Sequence, residues 1–202
     1  MFDDITENLH PNLQNWFDGQ MLYHPYVRQY RPRAETVNEI YAWKKAEIAK
    51  AVRERDWQQF VFLHERPDRP HALQTLMRKY HVSLAHLWPV IGSAWSDTEI
   101  PSNSFEFWHK IWSSSCPHRN SVMEPEERVK WEALPDEFSV WRGVNDGKLI
   151  PGFSWTLDRA RGRELFGSLT ALRAQRGQPP WLKDCSRRST PSHISAAEMK
   201  PR

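Results

Sequence analysis

Residues 138–157 read FSVWRGVNDGKLIPGFSWTL and carry the strongest strand signal in the chain. Two short runs in this stretch alternate apolar and polar residues, Phe138–Trp141 and Phe153–Leu157. The connection between them contains Asn145-Asp146-Gly147 and Pro151-Gly152, which are turn-forming sequences. The pattern predicts two strands joined by a turn-rich loop.

Polar side chains cluster at the ends of these two runs. Arg142 and Gly143 directly follow the first run, whereas Ser154 and Thr156 flank Trp155 in the second. Taken singly, an arginine at a strand end or a serine on an edge strand is often only structural. The ordered pair, with a turn between its members and a helix signal after it, favours a binding site.

Composition indicates a globular chain with a large aromatic content. The 202 residues are 39% hydrophobic and 26% charged, values typical of soluble proteins, and they include 11 Trp. Large rings bury much area each and also stack on flat ligands. No segment approaches the ~20 apolar residues of a membrane span, and the acidic start MFDDITENLH is unlike a signal peptide. We therefore expect a cytoplasmic protein without a membrane partner.

The first 134 residues are predicted to form a mainly helical region. Residues 1–33 are aromatic-rich and interrupted by proline, and the pattern there predicts irregular structure with a short helix over 13–22 as an alternative. Apolar spacings of three and four residues predict the later helices. These cover 34 to about 57, with a continuation through Leu63 as an alternative, then 71–80, 84–88 (where Pro89 kinks or ends the helix), 105–112 and about 125–134.

A partial strand core over 135–176 and a basic tail over 177–202 complete the predicted α+β organisation. Asp158 is a suitable cap for a helix from Arg159 to about Arg173, with Leu165, Phe166, Leu169 and Leu172 facing inward. From Asp158 onward the chain contains ten Lys and Arg residues and four acids, a net charge of +6, although the whole chain carries only +3. The tail is predicted to be disordered because its composition is polar and basic.

The central stretch resembles the ADP-ribosyltransferase family, in particular the phage and bacterial branch of its arginine-specific class. The similarity rests on Trp141-Arg142-Gly143, on the run from Gly152 to Leu157 with its Ser-Trp-Thr, and on Asp158-Arg159-Ala160. It covers residues 124–166, about a fifth of the chain, and includes only the first two motifs of the family. It implies transfer of ADP-ribose from NAD, the substrate, to a protein side chain, with arginine as the expected acceptor.

The resemblance also implies roles for individual residues. Arg142, with Gly143, would hold the NAD phosphates, since a guanidinium binds phosphate in two-pronged fashion. Trp155 or Phe153 would stack on the nicotinamide, Thr156 would support the second strand, and Ser154 would orient a catalytic glutamate. That carboxylate would stabilise the oxocarbenium-like sugar formed when the nicotinamide bond breaks.

The glutamate itself is hard to place. After Thr156 the chain contains only Glu164, inside the predicted helix, and Glu198, which lacks a surrounding strand and a companion acid or amide two residues earlier. Glu198 is the candidate by sequence distance. We expect a chain that is truncated or shifted in frame after about Phe166, with low or absent activity.

Two other classes of function stay open. A non-enzymatic helical factor of a phage or bacterium, which binds a protein through its aromatic helices, would need no catalytic acid. The Arg-rich tail suits contact with nucleic-acid phosphates, but charged tails are more often only solvated, so nucleic-acid binding is the weakest of the options. Cys116 and the histidines show no paired metal-ligand spacing, so no metal site is predicted.

Overall fold

The computed structural model describes residues 8–98, 104–144, 155–160 and 168–175. These residues form helices and antiparallel strands, which confirms the predicted α+β class. The chain divides into two compact units, residues 1–128 and 129–202, whereas the predicted division follows residue 134. The predicted tail, 177–202, lies outside the described residues.

The described residues contain the following helices, strands and turns. The helices are α1 (Pro11–Gln14), α2 (Ala34–Glu54), α3 (Trp57–Phe62), α4 (Arg69–Arg78), α5 (Leu84–Ser96), α6 (Phe105–Trp112) and α7 (Pro125–Glu132). The strands are β1 (Phe17–Asp18), β2 (Met21–His24), β3 (Val27–Tyr30), β4 (Glu137–Val144) and β5 (Ser168–Gln175). Two 3₁₀ turns, Arg66–Asp68 and Arg119–Val122, precede α4 and α7.

A three-stranded antiparallel sheet occupies the region predicted to be irregular. Its order is β1-β2-β3, with Phe17 opposite Leu22 and Met21 opposite Tyr30. Gly19 has a positive φ of 56° in the turn between β1 and β2, a conformation that favours glycine. The prediction was wrong here because strands of two to four residues are too short to show a period, and the proline positions resemble loops.

Helix α2 begins at the predicted residue and ends three residues early. Its last turn closes on Arg55, which adopts the left-handed conformation, and the side chain of Asp56 then accepts a hydrogen bond from the Gln59 amide at 2.9 Å. This cap starts α3 as a separate helix. Val37, Tyr41, Ile48 and Ala51 form the buried face of α2, as their spacing predicts.

Helix α5 continues through Pro89, so of the two predicted alternatives, a kink or an end, the end at Trp88 is wrong. The turn-forming composition after Ser93 does not stop the helix until Ser96. Proline removes one backbone hydrogen bond, but Trp88 and Ile91 on either side of it are fully buried. Burial of these side chains outweighs the lost bond.

Tryptophans build the core around α5 and α6. Trp88 and Trp108 are completely buried, and Trp88 stacks on Trp112 with ring centroids 6.2 Å apart. The Trp88 indole also donates a hydrogen bond to the Pro117 carbonyl at 3.0 Å. The predicted helix 105–112 and its inward face are confirmed by these contacts.

In the second unit, β4 pairs along its whole length with β5 in antiparallel register. Glu137 lies opposite Gln175 and Val144 lies opposite Ser168. The prediction of a helix to about Arg173 is therefore wrong over 168–173. Short apolar runs such as Ser168–Gln175 fit a buried strand as well as a helix, and only the partner strand decides between them.

Candidate functional site

The site predicted from the central stretch is built around the end of β4. The Trp141 amide donates to the Thr156 carbonyl at 2.7 Å, and the Thr156 amide donates to the Trp141 carbonyl at 2.8 Å. This single antiparallel bridge joins the two predicted motifs on one edge of β4, while Ala171 of β5 pairs with Trp141 on the other edge. The second run is thus confirmed as a partner of the first, through one bridge among the described residues.

Arg142 lies on the same face of β4 as Val140, because side chains of a strand alternate between faces. Val140 is buried, and Arg142 is half-buried beside it. Burial lowers the pKa of the Arg142 guanidinium from its usual value. Its Nη1 atom is inaccessible to solvent and has no hydrogen-bond partner among the described residues.

The opposite face of β4 carries a different cation. The Arg159 guanidinium lies over the Trp141 ring, 5.0 Å from its centroid. Arg159 owes this position to a cap: Thr156 Oγ1 accepts from the Asp158 amide at 3.0 Å, and Asp158 Oδ1 accepts from the Ala160 amide at 2.8 Å. The predicted cap at Asp158 is therefore confirmed, as is the helical start at Arg159.

The structure brings together four of the predicted site residues. Arg142 and Gly143 lie just before Val144, the last residue of β4. Thr156 forms the bridge, and Trp155 precedes it, next to Arg142 in the same antiparallel register. Ser154, Phe153, Glu164 and Glu198 lie outside the described residues. Sequence reasoning missed Arg159 as a neighbour of Trp141, although an arginine one residue after a helix cap was a signal for it.

An anion is the ligand that suits the Arg142 side of this site. A buried polar group without a partner costs free energy, and the cost is larger for a charged group. A phosphate would accept charge-assisted hydrogen bonds from the part of the half-buried Arg142 guanidinium that stays accessible. The chemistry of the donor therefore fits the NAD phosphates that the resemblance implies.

A second group of polar rings lies inside the first unit and was not predicted. His24 and His64 are only 8% and 7% exposed, and both contact Tyr26 through ring pairs 5.0 and 5.1 Å apart. Tyr41 lies between His24 and His10, with centroid distances of 5.1 and 4.7 Å. Burial, followed by His64 and then His10, lowers the pKa of His24 from 6.5 to about 4.

These histidines are structural hydrogen-bonding groups. His24 Nδ1 accepts from the Tyr26 amide at 3.0 Å, and the His64 ring bonds the Phe60 carbonyl at 2.8 Å. Within the described ranges, no three His, Cys, Asp or Glu side chains are arranged to hold a metal ion. In the same part of the chain no helix has the length and apolar character to cross a bilayer.

Comparison with known proteins adds no family to this picture. No family model matches the chain, and no curated protein or solved structure shows significant similarity to it. Function is therefore inferred from Arg142, Trp155 and Thr156 and from their geometry around β4.

Proposed function

We propose that the chain is an ADP-ribosyltransferase-like protein that binds NAD near the end of β4. Its transfer of ADP-ribose to a protein side chain, an arginine, is low or absent, since only Glu164 and Glu198 follow Thr156 as sources of the catalytic acid. Arg142 binds the pyrophosphate, and Trp155 offers a ring for stacking. One observation carries the proposal: the half-buried Arg142 side chain makes no ion pair or hydrogen bond in the described part of the chain. The bridge between Trp141 and Thr156 supports it, because it brings the two motifs of the resemblance side by side.

Loss of the guanidinium is the first test of this site. Arg142→Ala is expected to weaken NAD binding by about tenfold to a hundredfold, since a hydrogen bond to a charged group contributes roughly 1.5–3 kcal/mol. Arg142→Lys should retain part of the affinity, because lysine keeps the charge but loses the two-pronged geometry. Calorimetric titration of the full chain with NAD measures both effects.

The control for this titration is Lys130→Ala, which removes an exposed cation of α7 in the same unit. We expect it to bind NAD as the parent protein does. Equal affinity of Arg142→Ala and the parent protein, or no binding of NAD at millimolar concentration, would contradict the proposal.

Transfer is measured separately from binding. The full chain is incubated with NAD labelled in its adenosine moiety and with an arginine-rich protein acceptor. Label on the acceptor that disappears with Arg142→Ala supports the transferase. NAD binding without any transfer would reduce the proposal to an NAD-binding protein.

A second candidate is a protein-interaction factor without enzymatic activity. It is favoured by aromatic side chains that the first unit leaves in solvent: Trp16, Tyr30 and Trp43 are 42%, 62% and 57% exposed. Absence of NAD binding in the titration above would leave this candidate as the better one.

A further inference from the structure

Helix α2 has one face whose residues are all exposed to solvent. Its opposite face is buried through Val37, Tyr41, Ile48 and Ala51. The exposed face is centred on Trp43, which is 57% exposed and has the exposed Ala46 one turn away. A large ring next to a small side chain is a surface into which another helix can pack closely.

Acidic and basic side chains occupy opposite ends of this face. Glu35 and Glu39 lie towards the start of α2, whereas Lys50 and Arg53 lie towards its end, and all four are exposed. None of the four makes an ion pair or side-chain hydrogen bond in the part of the chain that the structure describes. Like charges four and three residues apart on a helix repel each other slightly, although Lys50 also has Glu47 three residues before it and Glu54 four residues after it.

The helix dipole accounts for only part of this division. The dipole favours acids in the first turn and bases in the last turn, which covers Glu35 and Arg53. Its effect falls off beyond those turns. Glu39 and Lys50 lie further inside the helix, where the dipole does not account for their positions.

A second copy of the same helix, running antiparallel, satisfies all of these groups. Glu39 is four residues before Trp43, and Lys50 is four residues after Ala46. A two-fold axis between Trp43 and Ala46 therefore brings Glu39 opposite Lys50 of the second copy, and Trp43 over its Ala46.

The outer charges follow the same symmetry. Glu35 and Arg53 are equally far from the axis to within one residue, and 3.6 residues per turn put them on the same side of the helix. Each two-fold pair thus contains two inner and two outer opposite-charge contacts. A two-fold partner repeats each of these contacts on both sides of the axis, so acids at one end and bases at the other are enough to make all four contacts favourable.

We propose that this exposed face of α2, comprising Glu35, Glu39, Trp43, Ala46, Lys50 and Arg53, is the contact surface of an antiparallel homodimer. A pair of helices about 30 Å long is at the small end of specific interfaces. The dissociation constant is accordingly expected at about 10–100 µM. The proposal is independent of NAD binding.

Charge reversal provides the test. Glu39→Lys and Lys50→Glu each place like charges opposite each other twice in the two-fold pair, and each is expected to weaken self-association at least about tenfold. The double variant Glu39→Lys/Lys50→Glu restores opposite charges and is expected to associate like the parent protein. Sedimentation velocity of the full chain over a concentration series measures all four proteins.

Mixing the two single variants makes the test sharper. A Glu39→Lys chain carries Lys at both inner positions and a Lys50→Glu chain carries Glu at both, so they complement each other only in a mixed dimer. With one variant isotope-labelled, native mass spectrometry is expected to show the mixed dimer in excess over either homodimer. Trp43→Ala should weaken association of the parent protein about tenfold through the lost ring contact.

The controls reverse charges of the same kind on α6. Glu106→Lys and Lys110→Glu change exposed residues on that helix and are expected to leave self-association unchanged. Circular dichroism establishes that each variant is folded. A parent protein that stays monomeric at several hundred micromolar, single reversals without effect, or absence of a mixed dimer would each overturn the proposal.

Discussion

Replacement of Gly92 by alanine is expected to destabilise the first unit by about 3 kcal/mol, as overpacking of a tight contact does. A Cβ atom at this position of α5 would overlap the Val122 carbonyl oxygen and lie 2.9 Å from Val122 Cγ2. The obstacle is backbone of the 3₁₀ turn Arg119–Val122 and cannot rotate away as a side chain would. Alanine gains about 1 kcal/mol of helix propensity over glycine, which offsets only part of the overlap.

Urea unfolding followed by tryptophan fluorescence measures this loss. Ser96→Ala, an exposed change on the same helix, is the control and should alter the free energy of unfolding by less than about 0.5 kcal/mol. Val122→Ala combined with Gly92→Ala should recover only part of the loss, because it removes Cγ2 and leaves the carbonyl. A Gly92→Ala protein as stable as the parent would contradict this prediction, since it would show that the 3₁₀ turn Arg119–Val122 leaves room for a Cβ atom at position 92.

Acidification from pH 6.5 to 4 is expected to destabilise the protein by about 3 kcal/mol through His24 alone. The folded protein lowers the pKa of His24 to about 4, so between these pH values the unfolded chain binds a proton that the folded chain does not. The stabilising effect is therefore fully present above pH 6.5 and is lost as the pH falls. Protonation would also abolish the acceptor that His24 Nδ1 offers to the Tyr26 amide.

A variant isolates this titration from that of the carboxylates. His24→Gln should be less stable than the parent protein at pH 7, since it loses ring contacts, but its stability should depend less on pH between 6.5 and 4. His71→Gln changes an exposed histidine and should keep the pH dependence of the parent. An unchanged pH dependence in His24→Gln would show that His24 is not the group responsible.

Helices with long amphipathic faces were the predictable part of this fold. The spacing of Val37, Tyr41, Ile48 and Ala51 is enough to define α2, because a helix satisfies its own backbone hydrogen bonds and needs only one apolar face. The same holds for α6 and for the start of α7. The α+β class followed from these helices together with the alternating runs near Arg142.

Strands were predictable only where the alternation was long enough. The residues of β4 alternate over Phe138–Trp141, whereas β1, β2 and β3 are too short for a period. Ser168–Gln175 was assigned to a helix because Leu169 and Leu172 fit a helical face as well as a strand. Its backbone is satisfied by β4, and no local feature of the sequence encodes that pairing.

By itself the sequence determined which residues belong to the proposed site: the arginine near the end of β4, the Ser-Trp-Thr run and the cap at Asp158. Only the tertiary structure decided what surrounds them, because distant segments supply the environment of each group. In the folded chain Trp141 pairs with Thr156, and Arg142 lies half-buried beside Val140. Its Nη1 atom has no hydrogen-bond partner among the described residues. Likewise packing against segments far along the chain lowers the pKa of His24 and leaves no room for a Cβ atom at Gly92.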